Sequence, residues 1–159
     1  PEKWKFLLDA PFKISPYCCQ VMKKEPLHRY MKATGAHPFV GMMAADSLSR
    51  AVAYRRTGCN AFDLADPMSM PLAIWTDADI RQYVEQFHLP VSALYNMGHE
   101  SSGCAFCAFG SHMKTPNQFQ LMHRTHPRLW RYCMETLGTK EGCEFCRIPT
   151  VPDENGEEQ

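Results

Sequence analysis

The cysteines of this chain are grouped, and their grouping limits what it can fold into more than any other feature. Eight occur among 159 residues: the adjacent pair Cys18-Cys19, the Cys-x-x-Cys pairs Cys104/Cys107 and Cys143/Cys146, and the single residues Cys59 and Cys133. Residues 1–5 lead only into a short apolar stretch and do not resemble a signal peptide. In a cytoplasmic protein such pairs are more often metal or redox sites than disulfides. We therefore expect a cytoplasmic protein whose paired thiols have a chemical role.

The composition narrows the class of protein further. Hydrophobic residues make up 45% and charged residues 21% of the chain, which is typical of one globular domain. Lys+Arg and Asp+Glu both number 17, so binding to nucleic acid mainly through phosphate neutralisation is not expected. No apolar run approaches the roughly 20 residues that a membrane span needs. We expect no membrane association.

The order of apolar and polar segments predicts an α/β domain. Residues 38–43 are apolar throughout and predict a buried strand of a parallel sheet, and residues 70–74 form a second such segment. Helices are predicted from Pro26 to a stop at Gly35, from about Asp46 to Arg56, after a cap at Thr76, and over 117–137 with a break at Pro127. In the last of these, Leu129, Tyr132, Cys133 and Leu137 are expected to form the inner face.

These elements also predict how the chain is organised. Two or three strands are too few for a complete doubly wound sheet, so we expect the later portion of an α/β domain with a helical, cysteine-rich C-terminal part. Residues 1–147 are expected to form this portion. Residues 148–159 are rich in proline and acidic side chains, and a disordered tail is predicted there.

The first two cysteine pairs favour a cluster over a single ion. Thiolates are soft ligands that suit zinc or iron–sulfur clusters. Neighbouring side chains of an extended segment point apart, so Cys18 and Cys19 reach different corners of a large cluster more easily than they chelate one zinc ion. The alternative is that these two cysteines are ordinary buried residues.

Several motifs resemble the adenylylsulfate and phosphoadenylylsulfate (PAPS) reductases, in particular a bacterial and phage-type branch. The resemblance covers about residues 4–137, and its motifs recur in the family's order. They are Pro16-Tyr17-Cys18-Cys19, Gly41-Met42-Met43-Ala44-Ala45-Asp46-Ser47, Pro71-Leu72-Ala73-Ile74-Trp75-Thr76, Gly103-Cys104-Ala105-Phe106-Cys107 and Thr125-His126-Pro127-Arg128-Leu129.

The resemblance implies a fold, a cofactor and an activity. It implies the adenine-nucleotide α-hydrolase-like fold, with a 4Fe–4S cluster held by Cys18, Cys19, Cys104 and Cys107. It implies attack of a thiolate on a sulfonucleotide, with a thioredoxin-type reductant releasing sulfite. The cluster would place positive or dipolar character near the substrate rather than carry electrons.

One part of the family pattern is missing from this sequence. The family binds nucleotide with a Ser-Gly-Gly-Lys-Asp-Ser-type loop, whose backbone N–H groups hold phosphate, and no such loop occurs here. The resemblance therefore implies the family's C-terminal half, with the nucleotide-binding half lost, cleaved or supplied by another polypeptide. We expect an exposed apolar sheet edge or face where that half would dock, and self-association or a partner chain as a result.

Candidate substrate-binding residues follow the first apolar segment. The family places a basic residue after this turn to hold the anionic nucleotide, and Arg50 occupies that position. Ser47 could donate to phosphate, although a helix cap is its more common role. Arg55 and Arg56 are interpreted as a solvated helix face, and His112, His123 and His126 as packing or surface histidines rather than ligands.

Cys143 and Cys146 occupy the position where the reductases have a mobile segment with the attacking cysteine, although the sequence similarity is loose. Three roles are open: a redox or nucleophilic dithiol, a zinc site shared with Cys133 and a histidine, or no chemical role. Cys-x-x-Cys pairs often have a depressed thiol pKa, so we favour the nucleophile, with Cys143 as the attacking residue.

Two other functions compete with sulfonucleotide reduction. The same superfamily contains enzymes that use ATP to insert sulfur into tRNA or DNA, and nucleic acid would be a partner only in that case. The chain could also be a non-catalytic, metal-stabilised half of a split protein, because the phosphate-binding loop is absent. The chain is expected to act as an enzyme only when the nucleotide-binding half complements it.

Overall fold

Residues 2–13, 15, 17–65, 67–100 and 102–152 are described by the structure, which is a computed structural model. The chain divides into two units: unit 1 combines Pro1–Lys13 with Val91–Gln159, and unit 2 is Ile14–Pro90. Residues 153–159 of the predicted disordered tail lie outside the described residues. No helix in the described ranges is both long and apolar enough to cross a membrane.

Unit 2 begins with a continuous helical stretch. It consists of α1 (Tyr17–Cys19), a π-helical turn (Gln20–Lys24) and α2 (Glu25–Thr34), which ends at Gly35 in the left-handed region (φ 71°) as predicted. The sequence predicted that the helix begins at Pro26, but the helical stretch already begins before that residue. A proline inside a helix lacks an N–H group and crowds the carbonyl four residues earlier. The preceding turn is wider, with the Glu25 N–H group bonded to Gln20 O, and the helix passes through the proline.

Three short extended segments lie side by side in unit 2. The helix α3 (Leu48–Thr57) separates residues 38–44 from strand β1 (Asn60–Ala61), which pairs antiparallel with β2 (Met68–Ser69). On the other side of β2, Phe39 forms a parallel bridge with Ser69. The predicted parallel pairing is therefore present, but only over this bridge.

The two predicted strands differ from the observed ones in length and burial. Phe39 is 81% exposed rather than buried. Residues 71–74 form a turn instead of a strand. Two hydrogen bonds close this turn: the Ala73 N–H group donates to Met70 O at 3.0 Å, and the Trp75 N–H group donates to Leu72 O at 3.0 Å. Pro71 has no N–H group with which to continue a ladder, so β2 ends before it.

The last helix of unit 2 begins where the sequence predicted. In α4 (Asp77–Gln86), Thr76 Oγ1 accepts a hydrogen bond from the Asp79 N–H group at 3.3 Å, and Asp79 Oδ2 accepts one from the Thr76 N–H group at 2.7 Å. The Thr76 hydroxyl also donates to Asp79 Oδ2 at 2.7 Å, and this bond, followed by the one from the Thr76 N–H group, lowers the pKa of the Asp79 carboxyl. Among the described residues of unit 2, the fully buried apolar side chains are Ala61, Met70 and Ala73.

Unit 1 is helical in its described residues. A 3₁₀ helix (Glu2–Asp9) and α5 (Ala93–Asn96) precede a 3₁₀ turn (Ser111–Met113) and α6 (Gln118–Thr125). The chain continues with α7 (Pro127–Arg131), a π-helical turn (Tyr132–Thr136) and α8 (Thr139–Phe145). The helix breaks at Pro127 as predicted. The buried apolar cluster of the unit consists of Phe119, Met122, Cys133, Met134, Cys143 and Ile148.

The predicted inner face of residues 129–137 is only partly correct. Cys133 is fully buried, whereas Leu129, Tyr132 and Leu137 are exposed. The π-helical turn over 132–136 is the physical reason. The Leu137 N–H group donates to Tyr132 O, five residues earlier, and this wider turn changes the direction in which the side chains project.

The first and last parts of unit 1 meet through aromatic rings. The Phe6 and Phe12 rings both pack on the Phe145 ring, with centroid distances of 5.8 and 5.4 Å. The Trp4 ring contacts the His112 ring edge-on at 4.7 Å, and this contact agrees with the interpretation of His112 as a packing residue. These contacts attach the N-terminal 3₁₀ helix and the residues after it to the unit that α8 completes.

Residues 148–152 are attached to unit 1, which differs from the expectation that the tail begins at residue 148. Ile148 belongs to the buried cluster. Three successive backbone carbonyls accept hydrogen bonds from side chains of α6, α7 and the residue before α6. These are Asn117 Nδ2 to Pro149 O at 2.8 Å, Trp130 Nε1 to Thr150 O at 2.8 Å, and Gln120 Nε2 to Val151 O at 3.1 Å. We call residues 149–151 the carbonyl strap.

Candidate functional site

Cys104 and Cys107 lie in a tight turn of unit 1. The Cys107 N–H group donates to Cys104 O at 3.1 Å, and this bond closes the turn across the Cys-x-x-Cys pair. Gln118 Nε2, in the first turn of α6, donates to the Cys107 carbonyl, and Ser111 Oγ donates to the same oxygen at 3.5 Å. Both thiols are free, with Cys104 exposed and Cys107 half-buried. The turn thus presents two accessible sulfurs three residues apart.

Cys18 and Cys19 lie in the first helical turn of unit 2. Cys18 is exposed and Cys19 is half-buried, and both are free thiols. Consecutive side chains of a helix project about 100° apart. The two sulfurs therefore point in different directions, as predicted, although the segment is helical rather than extended.

The chemistry of these four residues fits a soft metal centre. All four are free thiols, and none is fully buried. Considered separately, neither unit brings three or more His, Cys, Asp or Glu side chains of its described residues into a group that could hold a metal. Cys18 and Cys19 belong to unit 2, and Cys104 and Cys107 belong to unit 1.

Ser47 and Arg50, the candidate substrate-binding residues, form local contacts at the start of α3. Ser47 Oγ accepts a hydrogen bond from the Arg50 N–H group at 3.3 Å, so Ser47 caps the helix. The Arg50 guanidinium group pairs with the Asp46 carboxylate, and its side chain remains 46% exposed. Binding of an anionic ligand by Arg50 would therefore have to share or replace this ion pair.

Cys143 is buried in the core of unit 1. Its exposure is 1%, and it lies in α8 within the cluster that contains Cys133 and contacts Cys146. Burial, followed by the neighbouring Cys133, Cys146 and Glu144, raises the pKa of the Cys143 thiol to about 11. The predicted depression of the thiol pKa is therefore wrong for this conformation.

The two neighbouring thiols are shifted in the same direction. Burial raises the pKa of Cys146, which forms the C-cap of α8, where the helix dipole also disfavours an anion. Burial raises the pKa of Cys133 as well, partly offset by its hydrogen bond to Thr139 Oγ1 at 3.5 Å. Neutral, packed thiols are the expected state of all three residues at pH 7.

One surface feature has no counterpart in the sequence-based prediction. A cleft of about 350 Å³ lies along α4, lined by Ile74, Trp75, Asp79, Gln82, Tyr83 and Gln86. The Trp75 and Tyr83 rings meet edge-on with centroids 5.4 Å apart. The signal for this cleft in the sequence is the spacing of Asp79, Gln82, Tyr83 and Gln86, which places them on one face of the helix.

Comparison with known proteins identifies relatives over most of the chain. Residues 5–109 match the family described as the phosphoadenosine phosphosulfate reductase domain. The adenosine 5'-phosphosulfate reductase of Burkholderia cepacia is 36% identical over 136 residues, which cover 85% of this chain and 49% of the relative. The enzymes of the same name from Allochromatium vinosum and Mycolicibacterium smegmatis are each 33% identical, over 57% of this chain and 34% and 37% of the relative.

These matches define how much of a family member is present. The chain spans half or less of the length of these relatives. No solved structure matches it. The family implies an adenine-nucleotide α-hydrolase-like α/β fold, and the described residues contribute many helices and few strands to it. Since the family match covers two thirds of the sequence and includes both Cys18-Cys19 and Cys104/Cys107, the chain belongs to the phosphoadenosine phosphosulfate reductase domain family.

Proposed function

We propose that this chain is the cluster-binding part of a sulfonucleotide reductase. Cys18, Cys19, Cys104 and Cys107 would hold a 4Fe–4S cluster. The observation that supports this most directly is the presence of two free, accessible thiol pairs inside the family match. When bound, the cluster would supply positive or dipolar character close to an anionic substrate.

The reaction we propose is the thiol-dependent reduction of a sulfonucleotide to sulfite. A thiolate attacks the sulfur of the sulfonucleotide, an S–S bond forms, and the S–O bond to the nucleotide phosphate breaks. A dithiol of the thioredoxin class then attacks the enzyme sulfur, so that sulfite leaves with the electron pair of the S–S bond. The second thiol of the reductant resolves the mixed disulfide. Arg50 would bind the anionic nucleotide after exchanging its Asp46 partner, with Ser47 beside it.

Ionisation of the attacking thiol would require a change in its surroundings. Cys143 and Cys146 lie beyond residue 109, where the family match ends. A buried thiol with a pKa of about 11 is almost entirely protonated at pH 7. Cys143 or Cys146 would therefore act as the nucleophile only in a conformation in which α8 has left the core of unit 1.

Metal analysis of anaerobically purified protein tests the cofactor proposal. We expect a brown protein that contains iron and sulfide in equal amounts. Replacing Cys107 with serine should remove the colour and most of the iron, because one of the four ligands is lost. Cys59→Ser is the matched control, since Cys59 is also a free, half-buried thiol but lies outside both pairs. One zinc ion per chain without iron would contradict the cluster.

Product analysis separates the proposed activity from its rivals. In the complete native protein or complex, a sulfonucleotide and a dithiol should yield sulfite. Pyrophosphate released from ATP would instead indicate the ATP-dependent insertion of sulfur into tRNA or DNA. If neither product forms although the cluster is intact, the chain is a non-catalytic module.

A further inference from the structure

The cleft along α4 has two aromatic walls that their neighbours hold in place. Trp75 is half-buried, and its ring meets the Tyr83 ring at 5.4 Å with an interplanar angle of 67°. The Tyr83 ring also packs on the Phe87 ring, with centroids 4.5 Å apart. Because these contacts fix both rings before a ligand arrives, a ligand that binds between them pays a smaller entropy cost.

The polar side chains of the cleft favour a positively charged ligand. Among the described residues that line it, Asp79 is the one with a charged side chain, and none is Lys, Arg or His. The Thr76 hydroxyl and N–H groups both donate to Asp79 Oδ2, which lowers the pKa of this carboxyl, so it is ionised at pH 7. α4 as a whole carries three acidic residues and one basic residue, which adds to the negative charge around the cleft.

Several acceptor oxygens of the cleft are available to a ligand. Within the described part of the chain, Asp79 Oδ1 accepts no hydrogen bond, because both bonds from Thr76 go to Oδ2. The side-chain amides of Gln82 and Gln86 have no hydrogen-bond partner among the described residues either. These two residues follow Asp79 by three and seven positions, so the three side chains lie along one face of α4. A ligand with several N–H donors would satisfy this row.

These groups together distinguish between kinds of organic cation. The face of a Trp or Tyr ring attracts a cation through the ring quadrupole. A quaternary ammonium ion has no N–H donor and would leave the acceptor row unpaired. A primary ammonium group has donors but is compact and strongly hydrated. A guanidinium group is planar, more weakly hydrated and carries five N–H donors, so it can stack on a ring and donate to a carboxylate at the same time.

We propose that this cleft binds an arginine side chain of a partner polypeptide. The guanidinium group would lie against the Trp75 and Tyr83 rings and donate to Asp79 Oδ1. The side-chain amides of Gln82 and Gln86 would bind its remaining N–H groups or the peptide groups on either side of the arginine. The proposal depends on unit 2 alone, and on neither the thiol pairs nor the proposed reduction.

The exposure of the cleft favours a polypeptide over a free small molecule. Sites for small molecules usually bury most of the ligand surface. Here Asp79, Gln82, Tyr83 and Gln86 are all exposed, and the cleft of about 350 Å³ is shallow enough for a chain to cross it. A partner chain can bring further contacts outside the cleft, whereas free arginine cannot. The negative charge of α4 is complementary to such an arginine-bearing segment.

Titration with blocked tripeptides, followed by NMR, tests the proposal on the 159-residue chain. Acetyl-Gly-Arg-Gly-amide is compared with the peptide that has citrulline in place of arginine, which has a similar shape but no charge, and with the peptide that has lysine. Because one side chain is tested alone, we expect a dissociation constant of about 1–10 mM. The arginine peptide should bind at least about fivefold more tightly than the citrulline peptide and about threefold more tightly than the lysine peptide.

The indole N–H resonances report where the peptide binds. The chain contains three tryptophans, and Trp75→Phe assigns the resonance of Trp75. We expect this resonance to shift during the titration. Trp4 and Trp130 do not line the cleft, and the Trp130 indole already donates to Thr150 O. Their resonances are the internal reference and should stay in place.

Substitutions separate the charge of the cleft from its rings. Asp79→Asn removes the charge but keeps an oxygen that can accept from Thr76, and it should weaken binding of the arginine peptide at least about fivefold. Asp77→Asn is the matched control, because Asp77 is also an exposed acid in the first turn of α4 but does not line the cleft. Tyr83→Leu removes one ring and keeps a good helix former, and it should weaken the arginine peptide as well. Circular dichroism should match the parent chain in all three variants.

Three results would overturn the proposal. Equal affinity for the arginine and citrulline peptides would show that the cleft does not recognise a positive charge. Equal affinity for the arginine and lysine peptides would exclude a preference for guanidinium. Equal weakening by Asp77→Asn and Asp79→Asn would show attraction to the helix as a whole and not to the cleft.

Discussion

Burial separates the eight thiols into groups with different chemistry. Cys18 and Cys104 are exposed and Cys19 and Cys107 half-buried, so all four are accessible to a metal. Cys143 and its neighbours in unit 1 pack in an apolar environment that favours the neutral thiol. The sequence spacing identified the pairs correctly, because spacing is a local property. It did not reveal the burial of Cys143, since burial depends on how α8 packs against α6.

Thiol labelling tests this difference at the residue scale. In reduced, metal-free protein at pH 7, we expect Cys143 to react at least about 100-fold more slowly than a model thiol, because few of its molecules are ionised. Its thiolate fraction rises with pH, so the labelling rate should increase up to an inflection near a pKa of about 11. Mass spectrometry after iodoacetamide treatment gives the rate for each cysteine.

Exposed Cys18 is the internal control for this experiment and should react like a model thiol. The same chain in denaturant should lose the difference between the two residues. Rapid labelling of Cys143 at pH 7 in the folded chain would contradict its burial and favour it as the nucleophile. In protein labelled as purified, before any metal is removed, reaction of Cys143 and Cys146 only after a zinc chelator is added would indicate a zinc site.

At the scale of elements, the sequence predicted the helix ends correctly, but it did not predict the strands and the buried helix faces, which depend on distant residues. Thr76 and Gly35 mark helix ends where the sequence placed them, because caps depend on a few neighbouring residues. The strand predicted over residues 70–74 fails at Pro71, and the inner face of residues 129–137 fails at a π-helical turn. Phe39 is apolar but 81% exposed, because the apolar pattern of residues 38–43 does not determine which segments pack on it.

The two helix caps with reciprocal hydrogen bonds should differ in their importance for stability. Asn117 is fully buried, and its Oδ1 atom accepts from the Phe119 and Gln120 N–H groups at 2.9 and 3.2 Å. Its Nδ2 atom also donates a hydrogen bond to Pro149 O in the carbonyl strap. Asn117→Ala should lower the free energy of unfolding by about 2–4 kcal/mol, since it removes a cap and leaves the N–H groups of the buried residues Phe119 and Gln120 without this acceptor.

Thr76→Ala is the matched comparison, because Thr76 caps α4 at an exposed site and holds no distant segment. We expect it to cost about 1 kcal/mol or less. Urea unfolding measures both values, and limited proteolysis should detect release of the strap only in Asn117→Ala. Equal costs for the two substitutions would show that the strap adds no stability.

At the scale of the whole molecule, the sequence contains three cysteine pairs but no Ser-Gly-Gly-Lys-Asp-Ser-type loop. The family was recognised from ordered motifs such as Cys18-Cys19 and Trp75-Thr76, and the family match over residues 5–109 confirms it. The division into two units was not predicted, since no linker of unusual composition separates Lys13 from Ile14 or Pro90 from Val91. Unit 2 has a small buried core in its described residues, formed by Ala61, Met70 and Ala73.

Nucleotide binding should therefore be weak in the 159-residue chain. The sequence contains no paired-glycine loop of the kind whose backbone N–H groups hold phosphate. Arg50 alone, paired with Asp46, provides one partly screened contact. We expect calorimetry with PAPS or ATP to give a dissociation constant weaker than about 100 μM, equivalent to about −5.5 kcal/mol.

The complete native protein is the positive control for this measurement and should bind its nucleotide more tightly. Micromolar binding by the 159-residue chain would contradict the prediction. It would also mean that the residues present already form a phosphate site.

The aromatic contacts of Phe6 and Phe12 with Phe145 have a consequence for how the protein is made. Ribosomes release a chain from its N-terminus, and domains generally fold as their residues emerge. Unit 2 is continuous and can fold once Pro90 has left the exit tunnel. The rings of Phe6 and Phe12 must wait for α8, which is synthesised after all of unit 2. During elongation these side chains remain uncovered, and a stalled ribosome would expose them to chaperones.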